Sequence, residues 1–464
     1  MTTPSRLLHF DHGTLVLEHF PPDDVPTGFV HDPRVGLPRA TADQYHRVVM
    51  DLHQRRVPYE DRARAYQVLE RAHHTDRAPR DYQRGALEAW RQAGRRGVVV
   101  LPTGAGKTFV AELCIADAGR DALIVAPTLD LVSQWYDQMK RAFGGPIGVL
   151  GGGMHEIHPI TVATYDSAWM HIERYGNRFG FLVFDEVHHL PGASYSAAAV
   201  GSLAPFRLGL TATLERPDGA HLDIDRLVGP VCFRKEITDL AGEYLAEYVT
   251  ERITVHLSDE DREAYEEARH AFRSFVDDEG IRLGGQGGWH QFLRAAARSN
   301  RGRRAHKAWM ESRRILQGAP AKLRYLEAIL REHRDGRVIV FTNDNATVYD
   351  LSRSLLVPAI THHTDVKERR RYLDAFASGE LRVLVTSRVL NEGVDLPAAD
   401  VAVVLSGTGT VREHVQRLGR ILRPQAGKRA VLYELVVADT AEERTSDRRR
   451  DHVAYRQDEG EPTE

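Results

Sequence analysis

The sequence predicts an α/β protein with two parallel-sheet domains, a small N-terminal α/β domain and a helical insertion. Short apolar runs alternate with helical stretches over residues 78–256, and the same rhythm resumes over residues 321–440. Such alternation is typical of βαβ units, which place functional residues at the carboxyl ends of the strands. Residues 257–320 lack strand-like runs and are rich in Arg, Glu and Ala. We therefore expect a helical insertion there.

The N-terminal domain is predicted over residues 1–77. Two strand-like runs around a Gly-containing turn indicate a hairpin. A helix should follow, because Thr41 and Gln44 form a capping-box pattern and apolar residues recur at helical spacing up to Pro58. At the other end of the chain, the polar residues 441–464 are predicted to be a frayed tail.

Composition excludes several classes of protein. The 464 residues and 52.2 kDa suggest roughly three domains, and 42% hydrophobic with 27% charged residues is typical of a globular protein. Two cysteines, far apart, cannot form a disulfide framework or a cysteine-based zinc site. Because no apolar run approaches the roughly 18 residues that cross a bilayer, we expect a cytoplasmic protein without a membrane segment.

Charge indicates where to look for function. The net charge of −3 creates no global positive field, so a nucleic-acid surface must be local. Only seven of the 62 cationic Lys and Arg residues are lysines. A lysine is therefore informative in this chain, and Lys107 is the first one.

An apolar strand, a Gly-rich turn and a helix start around Lys107 indicate a P-loop. Gly104 and Gly106 allow a tight turn with N–H groups aimed at a phosphate, and Lys107 reaches the β- and γ-phosphates of ATP. Thr108 supplies a hydroxyl to Mg²⁺ at a helix N-terminus, which favours anions. The first glycine of the general P-loop pattern is absent. The alternative is a Gly-rich turn that arose by chance, which the apolar strand and the rare lysine disfavour.

A second strand, residues 181–184, ends in two carboxylates. Asp185 can hold Mg²⁺, and Glu186 can polarise the attacking water. His188 and His189 raise the possibility of a metal site, but adjacent residues diverge, unlike the i, i+4 pair of metalloproteases. Alone, this segment could be a solvated strand end; after a P-loop, it is typical of a Walker B segment.

Gln416, Arg420 and Arg423 follow each other at i, i+4 and i+7, which places three donors on one helix face. Arginines so placed can neutralise charge that develops on a γ-phosphate. An exposed arginine face on a surface helix is the equally weighted alternative.

The insertion is locally basic. Residues 282–314 contain nine cations and a single acid, with two Trp and one Phe interleaved. Cations with aromatics suit phosphate contact and base stacking, whereas a solvated helical face is the alternative of equal weight. The expected nucleic-acid contacts are Arg301, Arg303 and Arg304.

Taken in order, these segments resemble the motif series of superfamily 2 helicases over about residues 78–430. The matching segments are PRDYQ (Q motif), LPTGAGKT (I), VAPTLDLVSQW (Ia), DEVHH (II), LGLTATLER (III), VIVFTND (IV), VTSRVLNEGVDLP (V) and QRLGRILR (VI). The resemblance implies two RecA-like domains with ATP and Mg²⁺ in the cleft between them. The residues it assigns to the nucleotide and the metal are Arg80, Gln83, Thr103, Gly104, Gly106, Lys107, Thr108, Asp185, Gly393 and Asp395. Those it assigns to the nucleic-acid backbone are Thr128, Thr342 and Thr386. Its coupling residues are His188, Thr211, Thr213 and Gln416, of which Thr211 and Thr213 couple the two halves.

Within the superfamily, the sequence is most similar to XPB-type DNA repair helicases, especially the short archaeal and bacterial forms. The DEVHH segment, the charged triplet after motif III and the thumb-like insertion support this likeness, and the N-terminal domain resembles the damage-recognition domain of the family. The family has an Arg-Glu-Asp triplet implicated in strand separation, whereas this chain has Arg216, Pro217 and Asp218. We therefore expect translocation with weak unwinding, unless the triplet is an ordinary turn.

The resemblance implies an ATP-dependent DNA translocase or helicase that acts 3′ to 5′ in DNA repair. We expect a monomeric motor on single strands and duplex junctions, associated with the nucleoid if the source is prokaryotic. One alternative is an ATP-gated DNA-binding switch that regulates a partner nuclease without efficient unwinding. A second alternative is an RNA helicase.

Overall fold

The computed structural model forms two compact units, Met1–Lys235 and Glu236–Glu464. The residues it describes are 5–214, 219–245, 247–283, 287–387, 399–406 and 429–450. The predicted α/β class with parallel sheets is confirmed. The division falls at residue 235 and not at the predicted 256, because the strand that spans Glu247–Val255 pairs within the sheet of the second unit.

The N-terminal domain has a five-stranded sheet of order β3-β4-β2-β1-β5. Its elements are β1 (Leu7–Asp11), β2 (Thr14–Glu18), β3 (Val30–Asp32), β4 (Leu37–Thr41), α1 (Tyr45–Gln54) and β5 (Glu60–Asp61). The predicted hairpin is confirmed by the antiparallel pairing of β1 with β2. The predicted capping box is wrong: residues 42–44 form a 3₁₀ turn, α1 begins after it, and the Thr41 hydroxyl bonds the Asp43 carboxylate.

The first large sheet has eight strands in the order β13-β6-β12-β11-β7-β10-β8-β9. Its elements are α2 (Asp81–Gln92), β6 (Arg96–Val100), α3 (Lys107–Ala118), β7 (Ala122–Ala126), α4 (Leu129–Phe143), β8 (Gly148–Gly151), β9 (Met154–Glu156), β10 (Ile160–Thr164), α5 (Tyr165–Tyr175), β11 (Phe181–Asp185), α6 (Ser196–Val200), β12 (Phe206–Thr211), α7 (Ile224–Leu227) and β13 (Val231–Arg234). All pairs are parallel except β8 with β9. The carboxyl ends of β6, β12, β11, β7 and β10 therefore meet at one edge.

The second unit carries a six-stranded, wholly parallel sheet of order β14-β19-β18-β15-β17-β16. Its elements are α8 (Ile237–Leu240), β14 (Glu247–Val255), α9 (Asp259–Asp278), α10 (Gly288–Arg298), α11 (Asn300–Gln317), α12 (Pro320–Glu332), β15 (Val338–Phe341), α13 (Asn345–Leu355), β16 (Ala359–Ile360), α14 (Val366–Ser378), β17 (Val383–Thr386), β18 (Val401–Val404), β19 (Arg429–Val437) and α15 (Ala441–Arg450). Helices α9 to α11 confirm the predicted helical insertion and pack around Phe272, Phe275 and Phe292.

The first ten residues of the predicted frayed tail form helix α15 instead. This helix is held because Lys322, whose side chain is 1% exposed, forms an ion pair with Glu442 at 2.7 Å. The Lys322 ammonium also donates a hydrogen bond to the Leu405 carbonyl at 2.7 Å. A polar composition alone did not indicate this contact. In the part of the chain that the structure describes, no helix is long and apolar enough to cross a membrane.

Candidate ATP site and nucleic-acid interface

The loop between β6 and α3 has the backbone that the glycine pattern predicts. Gly104 and Gly106 have φ angles of +85° and +77°, in the left-handed region that favours glycine. Gly106 is the residue immediately before α3, and Lys107 is its first residue. The loop therefore leads directly into a helix N-terminus, where unpaired N–H groups can bind a phosphate. Thr103 and Thr108 are half-buried beside this turn.

The first turn of α2 is bonded onto the P-loop. Gln83, 5% exposed, donates from Nε2 to the Ala105 carbonyl at 3.3 Å and accepts the Arg80 N–H at 3.0 Å. The Tyr82 hydroxyl donates to the same Ala105 carbonyl at 2.6 Å. A Cβ atom added to Gly106 would lie 2.7 Å from Gln83 Nε2. Of the two residues of this turn predicted to bind the nucleotide, Gln83 thus lies against the phosphate loop, and Arg80 is bonded to Gln83 and to the Tyr82 hydroxyl.

Lys107 and Glu186 face each other across this loop. Their Nζ and Oε1 atoms are 3.9 Å apart, and the two side chains are 11% and 13% exposed. The Lys107 ammonium also donates to the Leu101 carbonyl at 3.4 Å. Glu186 has a φ of +47°, unusual for a residue with a side chain. Strain of this kind persists only where the surrounding structure enforces it, and it is common at functional sites.

Asp185, at the end of β11, is held by two donors. Trp135 Nε1 donates to its Oδ2 at 2.8 Å, and the Glu186 N–H donates to its Oδ1 at 3.0 Å. The Tyr165 hydroxyl donates to its main-chain carbonyl at 3.0 Å. Burial, together with the charge of Glu186, raises the pKa of Asp185 to about 6. A nearby cation would stabilise the charged form of this carboxylate.

The donor set fits Mg²⁺ with a nucleotide. Mg²⁺ prefers carboxylate, hydroxyl and phosphate oxygens. Asp185 ends β11, and Thr108 lies in the first turn of α3, which follows β6; β6 is two strands from β11 and ends at the same edge of the sheet. The buried, incompletely neutralised Asp185 is the group that such a cation would satisfy. Lys107 and the loop N–H groups fit the phosphates.

Three of the four predicted coupling residues, His188, Thr211 and Thr213, form a hydrogen-bonded group beside Glu186. His188 is fully buried, with Nδ1 3.1 Å from the Thr211 hydroxyl and 3.5 Å from Glu186 Oε2. The Thr211 hydroxyl lies 2.7 Å from the Thr213 carbonyl and accepts the Thr213 N–H at 3.1 Å. The carboxylate predicted to orient water is therefore linked to the end of β12.

The three threonines predicted to contact DNA differ in their surroundings. Thr128 caps α4, because its hydroxyl accepts the Leu131 N–H at 3.3 Å. Thr342 and Thr386 are fully buried, and their hydroxyls donate within the second unit to the carbonyls of Asp344 at 3.0 Å and Ile360 at 3.1 Å. These two side chains are not exposed to solvent in the structure, which the strand-end pattern alone could not reveal.

The three arginines predicted on the insertion are exposed on α11. Arg301 forms an ion pair with Asp278 of α9, and Arg303 bonds the Asn300 side chain. The interleaved Trp289 and Trp309 pack against each other, with ring centroids 4.5 Å apart. The basic face therefore lies over an aromatic cluster.

Several predicted site residues lie outside the described residues, so the structure says nothing about them. They are Arg216, Pro217, Asp218, Gly393, Asp395, Gln416, Arg420 and Arg423.

Sequence reasoning missed three residues at this edge. Trp135 and Tyr165 both bond Asp185, and Thr164 caps α5 by accepting the Ser167 N–H at 3.1 Å. A signal existed for Thr164, because it ends an apolar strand run just before a helix. No local pattern indicates that Trp135, 50 positions before Asp185, would reach it.

Comparison with protein families gives three matches along the chain. Residues 8–63 match the Xeroderma pigmentosum group B helicase damage recognition domain. Residues 76–216 match the type III restriction enzyme res subunit family. Residues 304–457 match the ERCC3/RAD25/XPB C-terminal helicase family. These three models follow the same order as the N-terminal domain, first large sheet and second unit.

Comparison with individual proteins agrees with these family matches. The DNA 3′-5′ translocase XPB2 of Sulfurisphaera tokodaii is 43% identical over 372 residues, 80% of this chain and 84% of the relative. The DNA 3′-5′ helicase XPB of Mycobacterium tuberculosis is 32% identical over 375 residues, 78% of this chain and 61% of that longer relative. The helicase domain of Pyrococcus furiosus Hef, at 20% identity, has the same fold with a TM-score of 0.53 over 80% of this chain and 98% of that domain. The resemblance to XPB in the motif series is thereby confirmed, and this chain belongs to the XPB helicase family.

Proposed function

We propose that this chain is an ATP-dependent DNA translocase that moves 3′ to 5′ and acts in DNA repair. The names of its relatives describe DNA 3′-5′ translocases and helicases. The observation that carries the proposal is the pairing of Lys107 with Glu186 at 3.9 Å, beside the buried Asp185, at the carboxyl edge of one parallel sheet. These three side chains are the groups that phosphoryl transfer to water uses: a lysine for the phosphates, a carboxylate for Mg²⁺ and a carboxylate for the attacking water.

ATP is the substrate of this site. The N–H groups around Gly106 and the N-terminus of α3 hold its phosphates. Lys107, which in the structure contacts Glu186 and the Leu101 carbonyl, turns to the phosphates as the stronger anionic partner. Glu186 is then free to orient a water molecule and accept its proton.

Asp185 and Thr108 are the residues that would hold Mg²⁺. When bound, this ion would neutralise negative charge on the phosphates during transfer. Asp185 is kept in one orientation by Trp135 and by the Glu186 N–H. His188 and the end of β12 similarly restrain Glu186. The protein thus contributes preorganised groups rather than covalent chemistry.

The same edge of the first sheet is our proposed DNA contact. Helices α4 and α5 begin after the neighbouring strands β7 and β10, where Thr164 lies opposite Ala126. Their N-terminal N–H groups and dipoles favour phosphate oxygens. The turn between β8 and β9 adds Gly153, which has no neighbouring atom within 4 Å of an added Cβ. The exposed arginines of α11 are the proposed contact in the second unit, with Thr342 and Thr386 as proposed contacts that need a rearranged backbone.

An ATPase comparison tests the proposal. The rate of phosphate release is measured without polymer and with single-stranded DNA, duplex DNA or RNA, for the wild type and Lys107→Ala. We expect stimulation by DNA and no turnover by the variant. Stimulation by RNA alone would favour the RNA helicase, and turnover by Lys107→Ala would overturn the P-loop assignment.

Direction and unwinding are separate measurements. We expect displacement of streptavidin from the 5′ end of a biotinylated strand, the end that a 3′-to-5′ motor reaches. Strand displacement on a 3′-tailed duplex should be weak, because Pro217 replaces the glutamate of the family triplet. Displacement from the 3′ end would overturn the proposed direction.

The partner nuclease, the monomeric state and the nucleoid association remain predictions from the sequence. Sedimentation of the purified chain with and without a DNA fork tests the oligomeric state. A mass above 52.2 kDa for the free chain would contradict a monomer.

A further inference from the structure

Two helices that begin at the proposed DNA edge each send one side chain to the same residue of the ATP site. Trp135 of α4 donates to the Asp185 carboxylate at 2.8 Å, and Tyr165 of α5 donates to the Asp185 carbonyl at 3.0 Å. Trp135 and Tyr165 are each 2% exposed, and Asp185 is 7% exposed. These hydrogen bonds are therefore shielded from water, where a lost partner is costly.

The two contacts lie close to the helix starts. Trp135 follows the cap Thr128 by seven positions, about 10 Å along the helix axis, and Tyr165 directly follows the cap Thr164. A helix moves as a rigid element, so a phosphate that shifts either N-terminus also shifts the bonded side chain. Each helix N-terminus is thus connected to Asp185 through the helix itself and one hydrogen bond.

We propose that Trp135 and Tyr165 are positioning residues that couple DNA at the starts of α4 and α5 to Asp185. This inference rests on the proposed function. Trp135 restrains the rotation of the carboxylate, because its indole N–H bonds one oxygen while the Glu186 N–H bonds the other. Tyr165 restrains the main chain at the same point. When DNA phosphates bind the N-termini of α4 and α5, these two helices hold Asp185 in the orientation that hydrolysis needs.

The test uses Trp135→Phe and Tyr165→Phe in the full chain, which remove one N–H or one hydroxyl and keep an aromatic ring. Trp90→Phe and Tyr45→Phe are the matched controls. Trp90 is also buried and donates to a carbonyl, that of Arg207 at 2.9 Å, but Arg207 lies at the amino end of β12, on the opposite edge of the sheet. Tyr45 bonds Asp61 within the N-terminal domain.

Steady-state ATPase is measured with and without single-stranded DNA for every variant, together with thermal unfolding. For Trp135→Phe and Tyr165→Phe we expect the DNA-stimulated kcat to fall by about tenfold more than the unstimulated kcat. The KM for ATP should stay near that of the wild type, because the hydrogen bonds removed by these substitutions go to Asp185 and not to the P-loop. The two control variants should retain wild-type stimulation.

The outcomes separate this inference from the proposed function. Full DNA stimulation in the wild type and in both positioning variants would overturn the coupling while leaving the translocase intact. An equal loss of stimulated and unstimulated kcat would also overturn it, since that result indicates a structural effect. No stimulation of the wild type by any DNA would overturn the proposed function and the inference with it. If Trp135→Phe unfolds at the assay temperature, the stimulated and unstimulated kcat of Tyr165→Phe alone test the coupling.

Discussion

Replacing Gly106 by Ala is expected to weaken ATP binding by about ten- to a hundredfold. The φ of +77° at Gly106 costs an L-residue roughly 1–2 kcal/mol. The added Cβ would also lie 2.7 Å from Gln83 Nε2, a distance that real Cβ atoms do not show. Gln83 bonds the Ala105 carbonyl, so relief of this collision must displace either the Gln83 amide or the phosphate loop.

Gly94 provides the matched control. Its φ is +69°, but nothing lies within 4 Å of an added Cβ. Gly94→Ala should therefore incur the same backbone cost of roughly 1–2 kcal/mol without a collision. Displacement of the loop adds a loss of about 1.5–3 kcal/mol for each hydrogen bond to a charged phosphate. We thus expect Gly106→Ala to weaken nucleotide binding by about ten- to a hundredfold.

The assay is titration of each variant with a fluorescent ATP analogue and Mg²⁺, paired with urea unfolding. Gly106→Ala should lose at least as much unfolding free energy as Gly94→Ala, because it adds the collision, and only Gly106→Ala should lose nucleotide affinity. Wild-type affinity in Gly106→Ala, or an equal loss of affinity in Gly94→Ala, would show that the collision with Gln83 does not weaken nucleotide binding.

Three further outcomes are expected. Glu186→Gln should bind Mg·ATP yet lose turnover, since it cannot accept the proton of water; phosphate release beside nucleotide titration checks this, and parallel loss of binding would make Glu186 a structural carboxylate. Arg303→Ala with Arg304→Ala should reduce the log-log salt slope of DNA binding by about 0.7–0.9 per lost phosphate contact; an unchanged slope would indicate a solvated face. Lys322→Ala should destabilise the second unit by about 3 kcal/mol in urea unfolding, because it leaves the partly buried Glu442 without its partner; adding Glu442→Ala should recover part of that loss, and no recovery would contradict the pairing.

Much of the ATP site could be predicted from the sequence because its requirements are local. Gly104 and Gly106 occupy the left-handed backbone region that a P-loop needs, and only a residue without Cβ enters that region freely. Asp185 and Glu186 end an apolar run, and the βαβ rhythm places strand ends at one edge. The proximity of Lys107 to Glu186 followed from these two local patterns together.

Other features were decided by contacts between distant segments. The bond from Trp135 to Asp185 spans 50 positions, and that from Lys322 to Glu442 spans 120. The composition of residues 441–450 predicts a tail, yet these residues form helix α15. The ion pair between Lys322 and Glu442, together with the packing around that pair, holds the helix in place. Thr342 and Thr386 have the hydroxyls that the motifs predict, yet both are buried.

The sequence by itself determined the family, the fold class and the left-handed backbone of the glycine-rich loop, because glycine placement, strand termini and hydrophobic periodicity act within a few residues. Only the tertiary structure decided which side chains restrain Asp185, which hydroxyls reach the surface and where α15 packs. Those outcomes depend on which segments meet when the sheets form, and burial then determines whether a polar group bonds protein or water.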